Sequence, residues 1–332
     1  MLAGRLNVAT GTFGIDDLPV PDPGTGQVRI AVKAAGVCLS DVHLIEGMLK
    51  PAYLDGGSVT LGHEVSGVID ELGPGVTGWQ LGQRVLLLAG ELDATGRLLT
   101  RGVDYDGGWA EYTLASQATL VAIPDDLPFE QAAIIPDAVS TPWAAVTATA
   151  GTRPAQAVGV WGTGGLGAHA VQLLRMIGAA PIIAVDPLPA ARDRALEFGA
   201  DLALDPDDPA LTKRVFEESG GLAVAFDFAG VPAVREQAVG CLAPQGKLVL
   251  VGLTDQPLTI TGGTRLSFLQ QQVLGHYGSL AVHIEELVGL VRRRRLEFSR
   301  SVSGVLPLAS AADAVDRLTH KKGNPIRLIL RP

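Results

Sequence analysis

The chain has 332 residues, a formal net charge of −9 and a hydrophobic fraction of 47%, and this length suits two domains with a core each. The acidic balance disfavours nucleic acid and anionic membranes as partners, because binding to either depends on clustered lysine and arginine. No apolar run approaches the roughly 18 residues of a membrane span, and the amino terminus lacks the apolar core of a signal peptide. Two cysteines are too few for a disulfide framework, so a cytoplasmic location is predicted.

The first hundred or so residues show short strands separated by glycine- and proline-rich turns. The predicted strands are Gln27–Ala34, Val65–Leu72, Arg84–Ala89 and Ala110–Leu114. This pattern predicts a β-rich, barrel-like module.

Two segments of this module carry side chains that bind metals or move protons. In chain order these side chains are Cys38, Ser40, Asp41, His43, His63 and Glu64. Catalytic zinc sites use three protein ligands drawn from cysteine, histidine and carboxylates, and leave the fourth position open. Cys38 and His63 supply two such ligands. The residues alone leave Glu64 and Asp137 as alternatives for the third.

From about Pro124, strands alternate with amphipathic helices, which predicts a doubly wound parallel sheet. Near-continuous apolar runs are typical of strands covered on both faces. They are Val158–Trp161, Pro181–Val185, Ala223–Phe228 and Lys247–Gly252. After about Leu274 come a helical stretch, Ile284–Phe298, and a strand, Ile326–Leu330. We expect this segment to return to the first module and complete it.

A glycine-rich loop joins the strand Val158–Trp161 to the helix His169–Ile177. Its residues are Gly162, Thr163, Gly164, Gly165, Leu166 and Gly167. Glycines at this spacing allow a tight turn and a close approach of backbone amides to a dinucleotide pyrophosphate. Asp186 ends the next strand, where its carboxylate favours NAD because it would repel a 2′-phosphate. Arg192 and Arg194 follow nearby, and because one of them could reach such a phosphate, NADP is the alternative.

Taken in order along the chain, these motifs resemble the zinc-dependent alcohol dehydrogenases of the medium-chain dehydrogenase/reductase family. The matching segments are residues 36–43, 62–67, 137–141 and 162–167. The resemblance implies an α/β protein with a GroES-like β-barrel-type catalytic domain (1–138 and 276–332) and a Rossmann domain (139–275), a doubly wound parallel sheet. It also implies a homo-oligomer, a dimer or tetramer joined through edge strands of the Rossmann sheets, for which Ala223–Gly252 offers candidates.

The same resemblance implies roles for the metal-site residues. Cys38, His63 and Asp137 match the zinc ligands. Asp41 matches the carboxylate that orients His63, and Glu64 then lies behind the metal. Because the whole chain has two cysteines, a structural zinc site with four cysteine ligands is excluded, and at most one zinc is expected.

Further roles follow for the proton and the cofactor. Ser40 and His43 match the relay that carries the alcohol proton to solvent. The positions that match cofactor contacts are Thr141, Val251 and Leu253 near the nicotinamide, and Arg327 at the pyrophosphate. Leu39 stands where many relatives carry a basic residue for the same phosphates.

The predicted function is a reversible, zinc-dependent and NAD-linked oxidation of a neutral, medium-sized alcohol to its ketone or aldehyde. Tyr53, Trp109 and Trp143 are candidate walls of the substrate pocket, although Trp143 fits a core position equally well. No cluster of basic residues suggests an anionic substrate. A zinc-free quinone or enoyl reductase of the same fold is the alternative. A non-catalytic dinucleotide-binding protein is the third interpretation.

Overall fold

The computed structural model describes residues 1–332 and consists of two compact units. Unit 1 comprises Met1–Ser140 and Leu280–Pro332, and unit 2 comprises Thr141–Ser279. None of the helices combines the length and the apolar composition needed to span a bilayer.

Each of the nine predicted strands overlaps an observed strand, and Lys247–Gly252 belongs to a longer one. Nine further strands were not predicted. In chain order the strands are β1 (Leu2–Asn7), β2 (Thr12–Asp17), β3 (Gln27–Val37), β4 (Ser58–Thr60), β5 (Val65–Leu72), β6 (Arg84–Leu87), β7 (Gly90–Leu92), β8 (Leu98–Thr100), β9 (Tyr112–Ser116), β10 (Leu120–Ala122), β11 (Val158–Trp161), β12 (Ile182–Val185), β13 (Leu202–Leu204), β14 (Leu222–Asp227), β15 (Leu242–Leu250), β16 (Gln272–Gly275), β17 (Val302–Pro307) and β18 (Arg327–Arg331).

Both units contain helices, which are five to twelve residues long. They are α1 (Leu39–Ile45), α2 (Phe129–Ala133), α3 (Ser140–Ala144), α4 (Gly167–Ile177), α5 (Pro189–Glu197), α6 (Leu211–Ser219), α7 (Pro232–Gly240), α8 (Gly263–Phe268), α9 (Ala281–Arg292) and α10 (Ala311–Thr319). Two π-helical turns, Ile135–Val139 and Ala145–Thr149, flank α3.

Unit 1 is built on a seven-stranded sheet in the order β10-β6-β5-β3-β18-β17, with β9 also paired to β3, and on a three-stranded sheet in the order β2-β1-β4. Alternate residues of β3 are buried in the core, among them Val28, Ile30 and Val32. Strand β18 pairs antiparallel with β3, with Leu328 opposite Val37. The segment after unit 2 therefore completes the sheet of unit 1.

Unit 2 is a six-stranded parallel sheet in the order β13-β12-β11-β14-β15-β16. Two of its interior strands, β11 and β12, are buried along their whole length, as their apolar sequences predicted. The expectation of an edge strand within Ala223–Gly252 is wrong, because β16 (Gln272–Gly275) pairs outside β15. The edges are β13 and β16.

Residues 90–105 form a lobe that carboxylates hold together. Its β7–β8 hairpin turns at Asp93, whose carboxylate accepts hydrogen bonds from the backbone N–H groups of Thr95 (2.8 Å) and Arg97 (3.0 Å). Asp104 accepts a hydrogen bond from the backbone N–H of Tyr53 (3.0 Å) and so ties the lobe to the loop after α1.

Candidate functional site

The amino terminus of α1 places Cys38 at the metal-site cluster. Asp41 lies in the first turn of the helix, and its Oδ2 accepts a hydrogen bond from the backbone N–H of Cys38 (2.9 Å). Such a bond satisfies an amide that the helix itself leaves without a partner. The position of Cys38 is therefore fixed by a residue of the same sequence motif.

A tight turn before His63 brings its imidazole to the same cluster. Gly62 has a φ of +94°, in the region that favours glycine, and a Cβ at this position would overlap the indole of Trp109. The interpretation of Trp109 as a wall of the substrate pocket is wrong. Its indole is fully buried, its Nε1 donates to the carbonyl of Gly36 (2.9 Å), and it supports this turn from the core.

Cys38, His63 and Asp137 converge, as the metal-ligand prediction requires. Asp137 Oδ2 lies 3.4 Å from Cys38 Sγ and 3.3 Å from His63 Nε2, and the three ligand atoms lie within 4.8 Å of one another. Zinc bonds of about 2.0–2.3 Å at tetrahedral angles place ligand atoms roughly 3.3–3.7 Å apart. The donor set and its spacing fit a zinc ion, and between the two alternatives for the third ligand they favour Asp137.

Asp41 also faces the second nitrogen of the His63 ring. His63 Nδ1 and Asp41 Oδ1 are both buried without a hydrogen-bond partner and lie 3.6 Å apart. A proton on Nδ1 directed at this carboxylate leaves Nε2 free to bind a metal. Burial lowers the pKa of His63, but the negative charge of Asp41 and the carboxylate of Asp137 raise it well above its ordinary value.

Glu64 lies against the cluster and is ion-paired with Arg327. Its Oε1 is 2.9 Å from Arg327 Nη2 and accepts a hydrogen bond from the backbone N–H of Ala138 (3.0 Å). Burial raises the pKa of Glu64 to about 7, and the guanidinium of Arg327 opposes this rise. Gly36 is required beside it, because a Cβ there would overlap the carboxylate.

Arg327 is buried at the centre of this anionic group. Its Nη2 also lies 3.5 Å from both Cys38 Sγ and Asp137 Oδ2. Although burial lowers its pKa, the charges of Cys38, Glu64 and Asp137 raise it above the ordinary value. The pairing with Glu64 was not predicted from the sequence. The role of Arg327 at a pyrophosphate stays a prediction.

The predicted relay residues lie on α1 beside the cluster. Ser40 Oγ is 3.4 Å from His63 Nε2. His43 follows one helical turn later and is partly buried. Ser40 is therefore within reach of the metal position, and the onward step to His43 stays a prediction.

In unit 2 the glycine-rich loop lies at the carboxyl end of β11. Gly162 has a φ of +85°, and a Cβ at Gly167 would overlap the carbonyl of Gly162 where α4 begins. A Cβ built at Gly164 meets nothing within 4 Å. The loop thus has open space at its middle glycine and a helix amino terminus behind it, which suits the binding of a pyrophosphate.

Asp186 is 7% exposed and holds this loop. Its Oδ2 accepts hydrogen bonds from the backbone N–H (2.8 Å) and hydroxyl (3.2 Å) of Thr163. Arg192 donates to the carboxylate of Asp205 (2.8 Å), and Arg194 donates to the carbonyl of Thr163 (2.8 Å). Both guanidinium groups therefore have partners within the protein, and neither arginine favours the binding of a 2′-phosphate.

The three predicted nicotinamide contacts also belong to unit 2. Thr141 is 5% exposed, and its carbonyl accepts a hydrogen bond from His276 Nε2 (3.0 Å). Val251 and Leu253 follow β15, and Leu253 is 49% exposed. The contribution of His276 was not predicted, because no motif connects positions so far apart in sequence.

Known proteins match both parts of the chain. Residues 24–125 match the alcohol dehydrogenase GroES-like domain, and residues 165–293 match the zinc-binding dehydrogenase family. The NDMA-dependent alcohol dehydrogenase of Amycolatopsis methanolica is 32% identical over 87% of this chain and 87% of its own length. The chain belongs to the zinc-dependent alcohol dehydrogenases of the medium-chain family.

Two further relatives of this alcohol dehydrogenase agree over nearly the whole length. An alcohol dehydrogenase of Geobacillus stearothermophilus is 30% identical, over 96% of this chain and 95% of its own. A solved alcohol dehydrogenase of the archaeon Aeropyrum pernix superposes with a TM-score of 0.90 at 30% identity and covers both chains completely. The predicted fold class and the prediction of an oxidoreductase are confirmed.

Proposed function

We propose that this alcohol dehydrogenase oxidises a neutral alcohol reversibly, with NAD as hydride acceptor and one zinc ion held by Cys38, His63 and Asp137. The observation that carries the proposal is the spacing of these three ligand atoms beside Ser40. A zinc-free reductase of the same fold would need no such cluster, so the structure gives no reason to prefer that alternative.

When bound, zinc supplies Lewis-acid stabilisation of the negative charge that develops on the alcohol oxygen, and NAD accepts the hydride. Residues of the chain orient the metal ligands and carry the proton. Asp41 orients the ring of His63, and Glu64 holds the backbone after Asp137. Ser40 takes the proton of the alcohol and passes it towards His43 and solvent.

NAD is favoured over NADP for two reasons. Asp186 directly follows β12, and its carboxylate would repel a 2′-phosphate. The guanidinium of Arg192 is engaged with Asp205. One relative is described as NDMA-dependent, so the final electron acceptor of this chain needs a separate assay. A cytoplasmic location and a homo-oligomer stay predictions from the sequence.

The substrate we propose is neutral and medium-sized. Tyr53 is 44% exposed, and the guanidinium of Arg97 lies 4.9 Å from its ring centroid, so an aromatic surface is held in place on the loop after α1.

Zinc content tests the proposal directly. Protein purified without added metal is expected to hold about one zinc per chain, and the Asp137→Ala variant to lose most of it, because three ligands are needed to retain the ion. Asp93→Ala removes a carboxylate outside the cluster and is the matched control, expected to keep its zinc. Metal is measured by atomic absorption. A folded, NAD-binding wild type without zinc would contradict the proposal and favour the zinc-free reductase.

The relay is tested by His43→Ala. General acid–base groups contribute about 10²–10⁴-fold, and water can replace part of a relay, so we expect kcat to fall about 10- to 100-fold with zinc content unchanged. The pH dependence of kcat is expected to change, and a small amine or imidazole buffer is expected to restore part of the rate. An unchanged pH profile would show that the proton leaves by another route.

A further inference from the structure

A buried ion pair lies at the carboxyl end of β14 in unit 2. The Asp227 carboxylate is fully buried and accepts a hydrogen bond from Arg235 Nε (2.8 Å), whose side chain is 7% exposed on α7. Buried charged groups need ionic or hydrogen-bonding partners, and here these partners fix the positions of both side chains. Neither residue belongs to a motif that the sequence analysis used.

The pair connects two loops through backbone groups. Asp227 Oδ1 accepts hydrogen bonds from the backbone N–H groups of Ala229 (2.9 Å) and Gly230 (2.9 Å), in the loop after β14. Arg235 Nη2 donates to the carbonyl of Gly252 (3.0 Å), in the loop after β15. The main-chain carbonyl of Asp227 also accepts from the N–H of Val251 (2.9 Å).

These loops pack directly on the dinucleotide motif. A Cβ built at Gly162 would lie 3.0 Å from the backbone nitrogen of Ala229, and one at Gly252 would overlap the backbone of Gly230. Such contacts leave little room for either loop to shift without moving the other. Asp227 and Arg235 therefore fix two loops that pack against each other, at the side of the glycine-rich loop that faces β14.

The place of these loops in the sheet indicates which half of a dinucleotide they serve. In the order β13-β12-β11-β14-β15-β16, strands β11 and β14 are neighbours although their crossovers run in opposite directions. Dinucleotides bind across such a switch point, at the carboxyl ends of the strands, with one nucleotide over each half of the sheet. Asp186 marks the adenosine half, so the loops after β14 and β15 lie at the nicotinamide half.

We propose that Arg235 is a positioning residue for the nicotinamide half of the cofactor site. Its planar guanidinium holds Asp227 and Gly252 at once, which fixes the backbone from which Val251 and Leu253 project. A lysine has one point charge and cannot make both bonds with the same geometry. This inference rests on the proposed function, because it assumes that unit 2 binds NAD.

The test compares Arg235→Lys and Arg235→Gln with wild type for binding of NADH and of ADP, by calorimetry on the zinc-loaded protein. ADP carries adenosine and both phosphates but lacks the nicotinamide riboside. We expect both variants to bind NADH at least about tenfold more weakly, a loss of about 1.4 kcal/mol, and ADP within about twofold of wild type. Arg265→Lys is the matched control. Arg265, on α8, also donates to backbone carbonyls of unit 2, those of Val239 and Gly240 (3.5 Å each), and its replacement is expected to change neither affinity.

The outcomes separate the two proposals. An equal loss for NADH and ADP in both variants, or no loss for NADH, would overturn the positioning role of Arg235 while leaving the proposed function standing. A folded wild type that binds neither ligand would overturn the proposed function itself and this inference with it. If Arg235→Gln proves too unstable to measure, the comparison of Arg235→Lys with wild type is sufficient, because this variant keeps the positive charge.

Discussion

Replacing His63 with alanine is expected to release the zinc ion and to lower kcat by at least about 1,000-fold. The variant keeps only Cys38 and Asp137 of the three ligands, and a Lewis acid contributes several kcal/mol to the stabilisation of developing charge. A loss of about 4 kcal/mol corresponds to that factor in rate. Steady-state kinetics with NAD and an alcohol substrate, together with zinc analysis, measure the effect.

The matched control for this substitution is His320→Ala. His320 follows α10, and its side chain is 62% exposed and interacts with Asp316. We expect its kinetics and zinc content to equal those of wild type. A His63→Ala enzyme that keeps its zinc, or that turns over within about tenfold of wild type, would show that the ion is held or used in another way.

Replacing Arg327 with methionine is expected to lower the free energy of unfolding of zinc-free unit 1 by about 3–5 kcal/mol, because it leaves buried carboxylates without their cation. For a unit of this size the change corresponds to a fall in Tm of about 6–20 °C. Calorimetry of the chelated protein measures it. Bound zinc supplies positive charge to the same group, so the loss is expected to be smaller in the zinc-loaded protein.

Strand β18 offers its own control for this experiment. Arg331 ends the same strand and pairs with Glu130, but its side chain is 59% exposed. Exposed ion pairs contribute about 0–1 kcal/mol, so Arg331→Met is expected to lower Tm only slightly. Equal losses in the two variants would mean that packing of the long side chains in β18, and not the buried charge, accounts for the effect.

The sequence predicted the parts of the fold whose signals are local. Strand β11 and the glycine-rich loop were found because apolar runs and glycine spacing are read within a few residues. The approach of Asp137 to Cys38 and His63 was implied only by the family resemblance, since sequence spacing alone left Glu64 as an alternative. The distances between side chains favour Asp137 over Glu64, and the ligand assignment stays a prediction.

The contacts that were missed join positions far apart in the chain. Arg327 pairs with Glu64, and the edge of the parallel sheet lies at β16 and not within Ala223–Gly252. Burial of Trp109 was missed for a related reason, because a large aromatic residue near a catalytic motif fits either a pocket or a core. Whether such a residue lies in a pocket or in the core depends on the order of the strands, and composition and periodicity do not determine that order.

Because β18 pairs with β3, unit 1 cannot complete its sheet until the end of the chain has been synthesised. Cys38 and His63 leave the ribosome early, whereas Arg327 is translated only after the whole of unit 2. In the interval the nascent chain leaves the edge of β3 unpaired at Ala35–Val37 and carries a set of acidic groups without their cation. Unit 2 is contiguous and can fold first, and unit 1 must wait for its final strands.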